Sequence, residues 1–180
     1  MNNIKILKKE VDVSSVLKQL KDSKEDWGNQ RKDAESLIDR GYDDIEVGNL
    51  QLIMGAVKNK EDFVGDSEIN VPTSAYQKHT EIIRIIKEEI PNRDIHRCGF
   101  LSLPIDGYVG AHIDEGTYYL TRDRYHLSIQ GQYQYFVGNE TVVVDPGTLL
   151  WFNNKMPHGA VNLGDNTRIT FVFDMPHGNS

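Results

Sequence analysis

The second half of the chain alternates apolar and polar residues at the two-residue period of β-strands, and the first half carries two stretches at helical spacing. In the segment Asp123 to Ile129, Tyr125, Leu127 and Ile129 fall on one face, and Arg124, His126 and Ser128 fall on the other. From Thr167 to Asp174, Ile169, Phe171 and Phe173 share one face while Arg168, Thr170 and Val172 share the other. Gly147-Thr148-Leu149-Leu150-Trp151-Phe152 reads as a buried strand entered by a Pro146-Gly147 turn. Ala160-Val161-Asn162 leads into a turn over Leu163 to Asn166, and residues 108–114 read as extended.

The helical stretches lie earlier. Val13, Val16, Leu17 and Leu20 predict a helix from Val13 to Lys24, with Ser14 or Ser15 as its N-cap. Tyr76, His79, Ile82, Ile83, Ile86 and Ile90 form one stripe over residues 76–90, ended by Pro91. His79 reads as a helix-face residue rather than a ligand. Trp27 reads as core or pocket wall, and Gly41-Tyr42-Asp43-Asp44 and Gly65-Asp66-Ser67 read as turns. No repeat or linker divides the chain. The expectation is one mainly β domain over residues 1–180, with flanking helices: a helical and irregular part, 1–95, packed on a β core, 96–177.

Composition narrows the class. A chain of 180 residues with 38% hydrophobic and 26% charged residues can bury a real core. One cysteine, Cys98, excludes an internal disulfide and leads us to expect a reducing compartment, the cytoplasm. No apolar run suits a signal peptide or reaches the roughly 20 residues of a membrane helix. The net charge of −7 argues against a nucleic-acid substrate, which usually calls for a basic patch. Arg122 with Arg124 and the lysines Lys5, Lys8 and Lys9 are the nearest approach to one.

The candidate chemistry sits in His112-Ile113-Asp114, His158 and Arg168. On an extended strand His112 and Asp114 project to the same side. Joined by His158 from a later strand, they make a set of two imidazoles and one carboxylate, which suits Fe(II) with open coordination positions. A structural zinc site would instead be closed and cysteine-rich. Arg168 offers a bidentate fork to a carboxylate, and Thr170, two residues on, a hydroxyl to the same pocket. That is the layout of a non-haem oxygenase using 2-oxoglutarate. Taken singly, the pieces read more plainly: His158 as a loop histidine, Arg168 as a surface partner of Asp165 or Asp174. Arg124 and His126 alone read as the solvated face of an antiparallel strand. The joint spacing favours the oxygenase.

These residues resemble the aspartyl/asparaginyl β-hydroxylase-like family of Fe(II)/2-oxoglutarate-dependent oxygenases. The similarity runs from about Phe100 to His177. It is carried by His112, Arg124-Tyr125-His126-Leu127, Gly138-Asn139-Glu140-Thr141, the block from Gly147 through Phe152-Asn153 to His158, Arg168, and Val172-Phe173-Asp174 with His177. The resemblance implies a double-stranded β-helix, a jelly-roll of cupin-like form. It implies His112 and His158 as iron ligands and Arg168 as partner of the distal carboxylate of 2-oxoglutarate. It sets Arg124 and His126 near the co-substrate beside the metal. Asp114 departs from the best-known animal members, which manage with two histidines. It looks more like relatives that hydroxylate free amino acids, and it argues against a halogenase.

Two functions of different class follow. One is a dioxygenase that uses Fe(II), 2-oxoglutarate and O2 to hydroxylate an amino acid or an aspartyl or asparaginyl residue in a peptide, releasing succinate and CO2. The other is a non-catalytic cupin-type barrel that binds a small ligand or metal. The full triad followed by Arg168 favours the first. Neither substrate nor oligomeric state is written in the sequence.

Overall fold

The computed structural model describes residues 2–28, 48–55 and 68–178. Eleven strands among these residues form two antiparallel sheets. The larger sheet has the order β1-β9-β6-β11-β4-β2-β3. Its strands are β1 (Ile4–Lys8), β2 (Gly48–Gly55), β3 (Asn70–Pro72), β4 (Cys98–Leu103), β6 (Arg122–Gln130), β9 (Leu149–Phe152) and β11 (Arg168–Pro176). The smaller sheet has the order β5-β10-β7-β8, from β5 (Tyr108–His112), β7 (Tyr133–Val137), β8 (Glu140–Val144) and β10 (His158–Asn162). Among the described residues three α-helices accompany them: α1 (Ser14–Asp22), α2 (Thr80–Glu89) and the single turn α3 (Thr117–Leu120). The architecture is a mainly β jelly-roll with flanking helices, as the sequence led us to expect.

Period-2 alternation builds the layers. Tyr125, Leu127 and Ile129 of β6 and Phe171, Phe173 and Met175 of β11 turn to one side of the large sheet. There they meet Val16 and Leu20 of α1 and Ile82, Ile83, Ile85 and Ile86 of α2. Each such side chain contributes about 1.5–3 kcal/mol when fully buried. A second cluster, Tyr133, Tyr135, Val137, Val144, Leu150, Phe152 and Ala160, fills the space between the two sheets. The opposite faces of β6 and β11 therefore look into the interior between the sheets, and their polar residues are not solvated.

Several expectations are corrected. Segment 1–95 is not only helical and irregular, since it supplies β1, β2 and β3 to the large sheet. These strands are short or flanked by charge: β1 is Ile-Lys-Ile-Leu-Lys, mostly exposed, and pairs only with β9 at the sheet edge. Neither Ser14 nor Ser15 caps α1; Asp12 Oδ1 accepts the Ser14 N–H at 2.9 Å instead. The helix over 76–90 starts only at Thr80, because Ala75 and Lys78 close a turn by the Lys78 N–H to Ala75 carbonyl bond. His79, just before the helix, is buried and its Nε2 lies 3.1 Å from Asp26 Oδ2. Trp27 packs against the core beneath the helices and does not line the cleft described below. The Pro146-Gly147 turn is present, with Gly147 at φ +81° and Val11 backbone pressed against it, a position only glycine takes readily. The turns expected at 41–44 and 65–67 lie outside the described residues. No helix among the described residues is long and apolar enough to cross a membrane.

Candidate metal centre

Strand pairing brings the two histidines together. His112, the last residue of β5, lies directly opposite His158, the first of β10. Their rings are 4.3 Å apart between centroids. Gly159 makes this approach possible: a Cβ there would come within 2.4 Å of both the Val109 carbonyl oxygen on β5 and the Phe136 ring on β7. β10 is thereby squeezed between its two neighbours.

Backbone carbonyls set the tautomer of both rings. His112 Nδ1 is 3.0 Å from the Gly110 oxygen and His158 Nδ1 is 2.9 Å from the Met156 oxygen. A carbonyl only accepts, so each Nδ1 carries the proton, and in the neutral ring Nε2 keeps the lone pair. Burial also holds the His158 imidazole below its ordinary range, partly offset by Asp114, and so favours the neutral form that ligates metal.

Asp114 completes the set from a different kind of position. It lies beyond the end of β5, and its N–H donates to the Asn154 carbonyl at 3.3 Å. Its Oδ1 is 4.0 Å from His112 Nε2 and 3.7 Å from His158 Nε2. The three residues can place one ligand atom each within 4.8 Å of one another, and among the described residues they are the group so arranged. Two neutral imidazole nitrogens and a carboxylate oxygen on one side of a cleft fit a divalent iron, with room left for exchangeable ligands.

The cleft is lined by the three residues together with Arg124, His126, Tyr135 and Arg168, with Leu101, Val109, Phe152 and Val172 among its apolar walls. Arg168 is buried, its guanidinium 4.1 Å from the centre of the Tyr133 ring, and its Nε has no hydrogen-bond partner. It is thus not a surface partner of Asp165 or Asp174. Thr170 is fully buried on the same face of β11; its Oγ1 also lacks a partner, though it is not among the cleft-lining residues. Tyr135 contributes a second buried hydroxyl without a partner. Orphaned buried polar atoms are uncommon in proteins. Two of these atoms, Arg168 Nε and Tyr135 Oη, belong to residues that line the cleft, and a carboxylate fits the charge of Arg168.

His126 and Arg124 face the same interior. His126 is buried against the Tyr135 and Phe152 rings, with Tyr133 Oη 3.4 Å from its Nδ1. Burial, reinforced by Arg168, His158 and Arg124, holds it well below its ordinary range, so the ring is neutral. Arg124 has a more demanding arrangement than alternation alone reveals. Its Nε and Nη2 donate to the two oxygens of Asp174 at 2.6 and 2.9 Å, and its Nη1 donates to Asp114 Oδ2 at 2.9 Å. Burial opposes its charge, but the two carboxylates outweigh that and raise its pKa well above the ordinary value.

The sequence reading passed over Tyr133 and Tyr135, and took Asp174 only as part of a motif and as a possible surface partner of Arg168, not as the partner of Arg124. The signal was there for the tyrosines, as Tyr133, Tyr135 and Val137 alternate with Gln132 and Gln134. Asp174 continues the inward face of β11 that Arg168, Thr170 and Val172 begin.

A family model described as aspartyl/asparaginyl β-hydroxylase matches residues 11–178. Among solved structures, an oxidoreductase of the 2OG-Fe(II) oxygenase family from Burkholderia pseudomallei is similar with a TM-score of 0.52, covering 95% of this chain and 93% of its own, at 13% identity; the likeness is one of fold. A predicted oxalate decarboxylase from Thermotoga maritima is similar over 50% of this chain and 73% of its own, with TM-score 0.39 and 17% identity. A cupin 2 conserved barrel protein from Salinispora arenicola is similar over 45% and 63%, with TM-score 0.37 and 10% identity. A search of curated protein sequences finds no match.

Proposed function

The chain belongs to the aspartyl/asparaginyl β-hydroxylase family, and from that premise we propose that it is an Fe(II)- and 2-oxoglutarate-dependent dioxygenase. The substrate we propose is an amino acid, free or as an aspartyl or asparaginyl residue in a peptide, hydroxylated at an unactivated C–H bond. The observation that carries this reading is the pairing of two features in one cleft. Two imidazoles and a carboxylate gather within 4.8 Å, and a buried arginine with an unpartnered Nε lines the same cleft from the opposite sheet.

In this reading His112, Asp114 and His158 hold the iron. When bound, the metal with 2-oxoglutarate and O2 supplies the oxidising power to place one oxygen atom on the substrate, while 2-oxoglutarate leaves as succinate and CO2. The protein's own work is binding, orientation and exclusion of water. Arg168 donates to the distal carboxylate of the co-substrate, with Tyr135 supplying a hydroxyl to it. His126, neutral and buried, and Arg124 face the end of the co-substrate nearest the metal. Arg124 has five N–H donors, of which three are engaged by Asp114 and Asp174, so two remain for that contact. Leu101, Val109, Phe152 and Val172 keep the surroundings apolar, which strengthens every charged contact made there.

The test is mass spectrometry of amino-acid and peptide panels after incubation with iron-loaded protein, 2-oxoglutarate and O2. The expected result is a product heavier by one oxygen atom, formed together with succinate. Tight binding of 2-oxoglutarate with no succinate under any condition would point instead to a binding barrel.

A further inference from the structure

The two histidine ligands and Asp114 are secured in different ways. His112 and His158 sit in paired strands, opposite one another, each with Nδ1 held by a carbonyl of its own segment. Asp114 lies outside any strand, between β5 and α3. Its side chain is tethered by Arg124 alone among the hydrogen bonds described, through Oδ2. Arg124 in turn is gripped by Asp174, which lies directly across from it in the β6–β11 ladder and is fully buried. Both Asp174 oxygens accept from the guanidinium, a fork that fixes the plane of the arginine. The Tyr119 ring, 4.5 Å from the guanidinium carbon, packs against it as well. The Asp174 backbone is itself anchored, its N–H to the Arg97 carbonyl and its carbonyl to the His96 N–H.

We propose that Asp174 is a positioning residue for the metal centre: through Arg124 it holds Asp114 so that Oδ2 is occupied and Oδ1 alone faces the two Nε2 atoms. The inference rests on the iron-binding reading above and deepens it. Two physical effects support it. The first is geometric: a rigid, planar guanidinium clamped on its Asp174 side transmits a fixed position to its Asp114 side. The second is electrostatic. A buried arginine with Asp114 as sole counter-ion would draw on the charge that Asp114 offers to a cation. Asp174 supplies the second carboxylate, so the cluster of one guanidinium and two carboxylates keeps a net negative charge for the metal. Partners of this kind fix the orientation of a ligand and tune its donor strength.

The experiment measures Co(II) binding to metal-free protein by competition with a chromophoric chelator, recording the Co(II) d–d absorption alongside. Wild type is compared with Asp174→Asn, Arg124→Gln and the double variant, each checked for folding by circular dichroism. We expect each variant to bind Co(II) about 10- to 100-fold more weakly, with shifted d–d bands. The double variant should be no weaker than the weaker single, because both substitutions break one chain of contacts. A folded Asp174→Asn with wild-type affinity and spectrum overturns the proposal, as do losses that simply add in the double variant. If Asp174→Asn fails to fold, the double variant, which leaves no unpaired buried charge between these two positions, carries the test, and wild-type affinity in it is the contradicting result. A wild-type chain that binds no Co(II) overturns the iron-binding reading and this inference together. It is told apart from failure of the inference alone, in which wild type binds and the variants bind equally well.

Discussion

In the proposed function, recognition of the co-substrate carboxylate turns on Arg168, a buried cation whose Nε has no hydrogen-bond partner among the described residues. A hydrogen bond to a charged group contributes about 1.5–3 kcal/mol, which is about tenfold to a hundredfold in affinity. Arg168→Ala should therefore weaken 2-oxoglutarate binding by that factor, while calorimetric titration shows metal binding close to normal. Tyr135→Phe removes a single neutral hydroxyl and leaves the ring packed between His126 and Phe152, so its effect on the same titration should be smaller, about fivefold. Wild-type 2-oxoglutarate affinity in Arg168→Ala would show that the carboxylate is bound elsewhere. His158→Ala should remove metal binding, since it deletes one of two nitrogen donors held in the ligating tautomer.

At the scale of elements, the site is a product of close strand packing. Gly159 lets β10 fit between β5 and β7, and a methyl group there would run into the Val109 carbonyl, a backbone atom that moves only with its strand. Gly159→Ala should push β5 from β10 and separate His112 from His158. The expected result is weaker Co(II) or Fe(II) binding in a protein that still folds; unchanged affinity would mean that the strands yield without moving the ligands. The same scale shows what the sequence could reveal. Alternation along β6 and β11 was legible because apolar residues at every second position have only one face to bury against α1 and α2. Alternation put Arg124 with His126, and Arg168 with Thr170, on shared faces; that the β6 pair faces inward came from the family resemblance, since alternation alone read it as solvated. The exposed edge strand β1 and the short β3 were not legible, because their pairing is decided by neighbours distant in sequence. Asp174 was not legible as Arg124's partner either. That pairing depends on the β6–β11 register, which an irregularity between Ile169 and Thr170 shifts.

At the scale of the whole molecule, among the described residues, α1 and α2 pack on a seven-stranded sheet that faces a four-stranded one, and the polar chemistry lies between the sheets. Such burial has a consequence for stability as pH changes. His126 and His158 are held below the ordinary histidine value of 6.5, burial being the main cause for both. The folded chain takes up protons on these rings less readily than the unfolded chain. Their contribution to stability is complete above the unfolded value and is lost as pH falls from 6.5 towards the lower folded values. The melting temperature of the metal-free protein should thus decline on acidification through this window. His126→Phe, which keeps a buried ring without a proton site, should decline less steeply; an identical slope would contradict the assignment.

The central claim is that one cleft holds both a metal and a 2-oxo acid, and equilibrium binding of 2-oxoglutarate under anaerobic conditions tests it most directly. The account predicts one 2-oxoglutarate bound per chain when Fe(II) is present. It also predicts much weaker binding without metal and in His158→Ala, because the co-substrate then loses the metal and keeps only its contacts with protein side chains. Binding that is absent from the Fe(II)-loaded protein, or equal with and without metal, would contradict it.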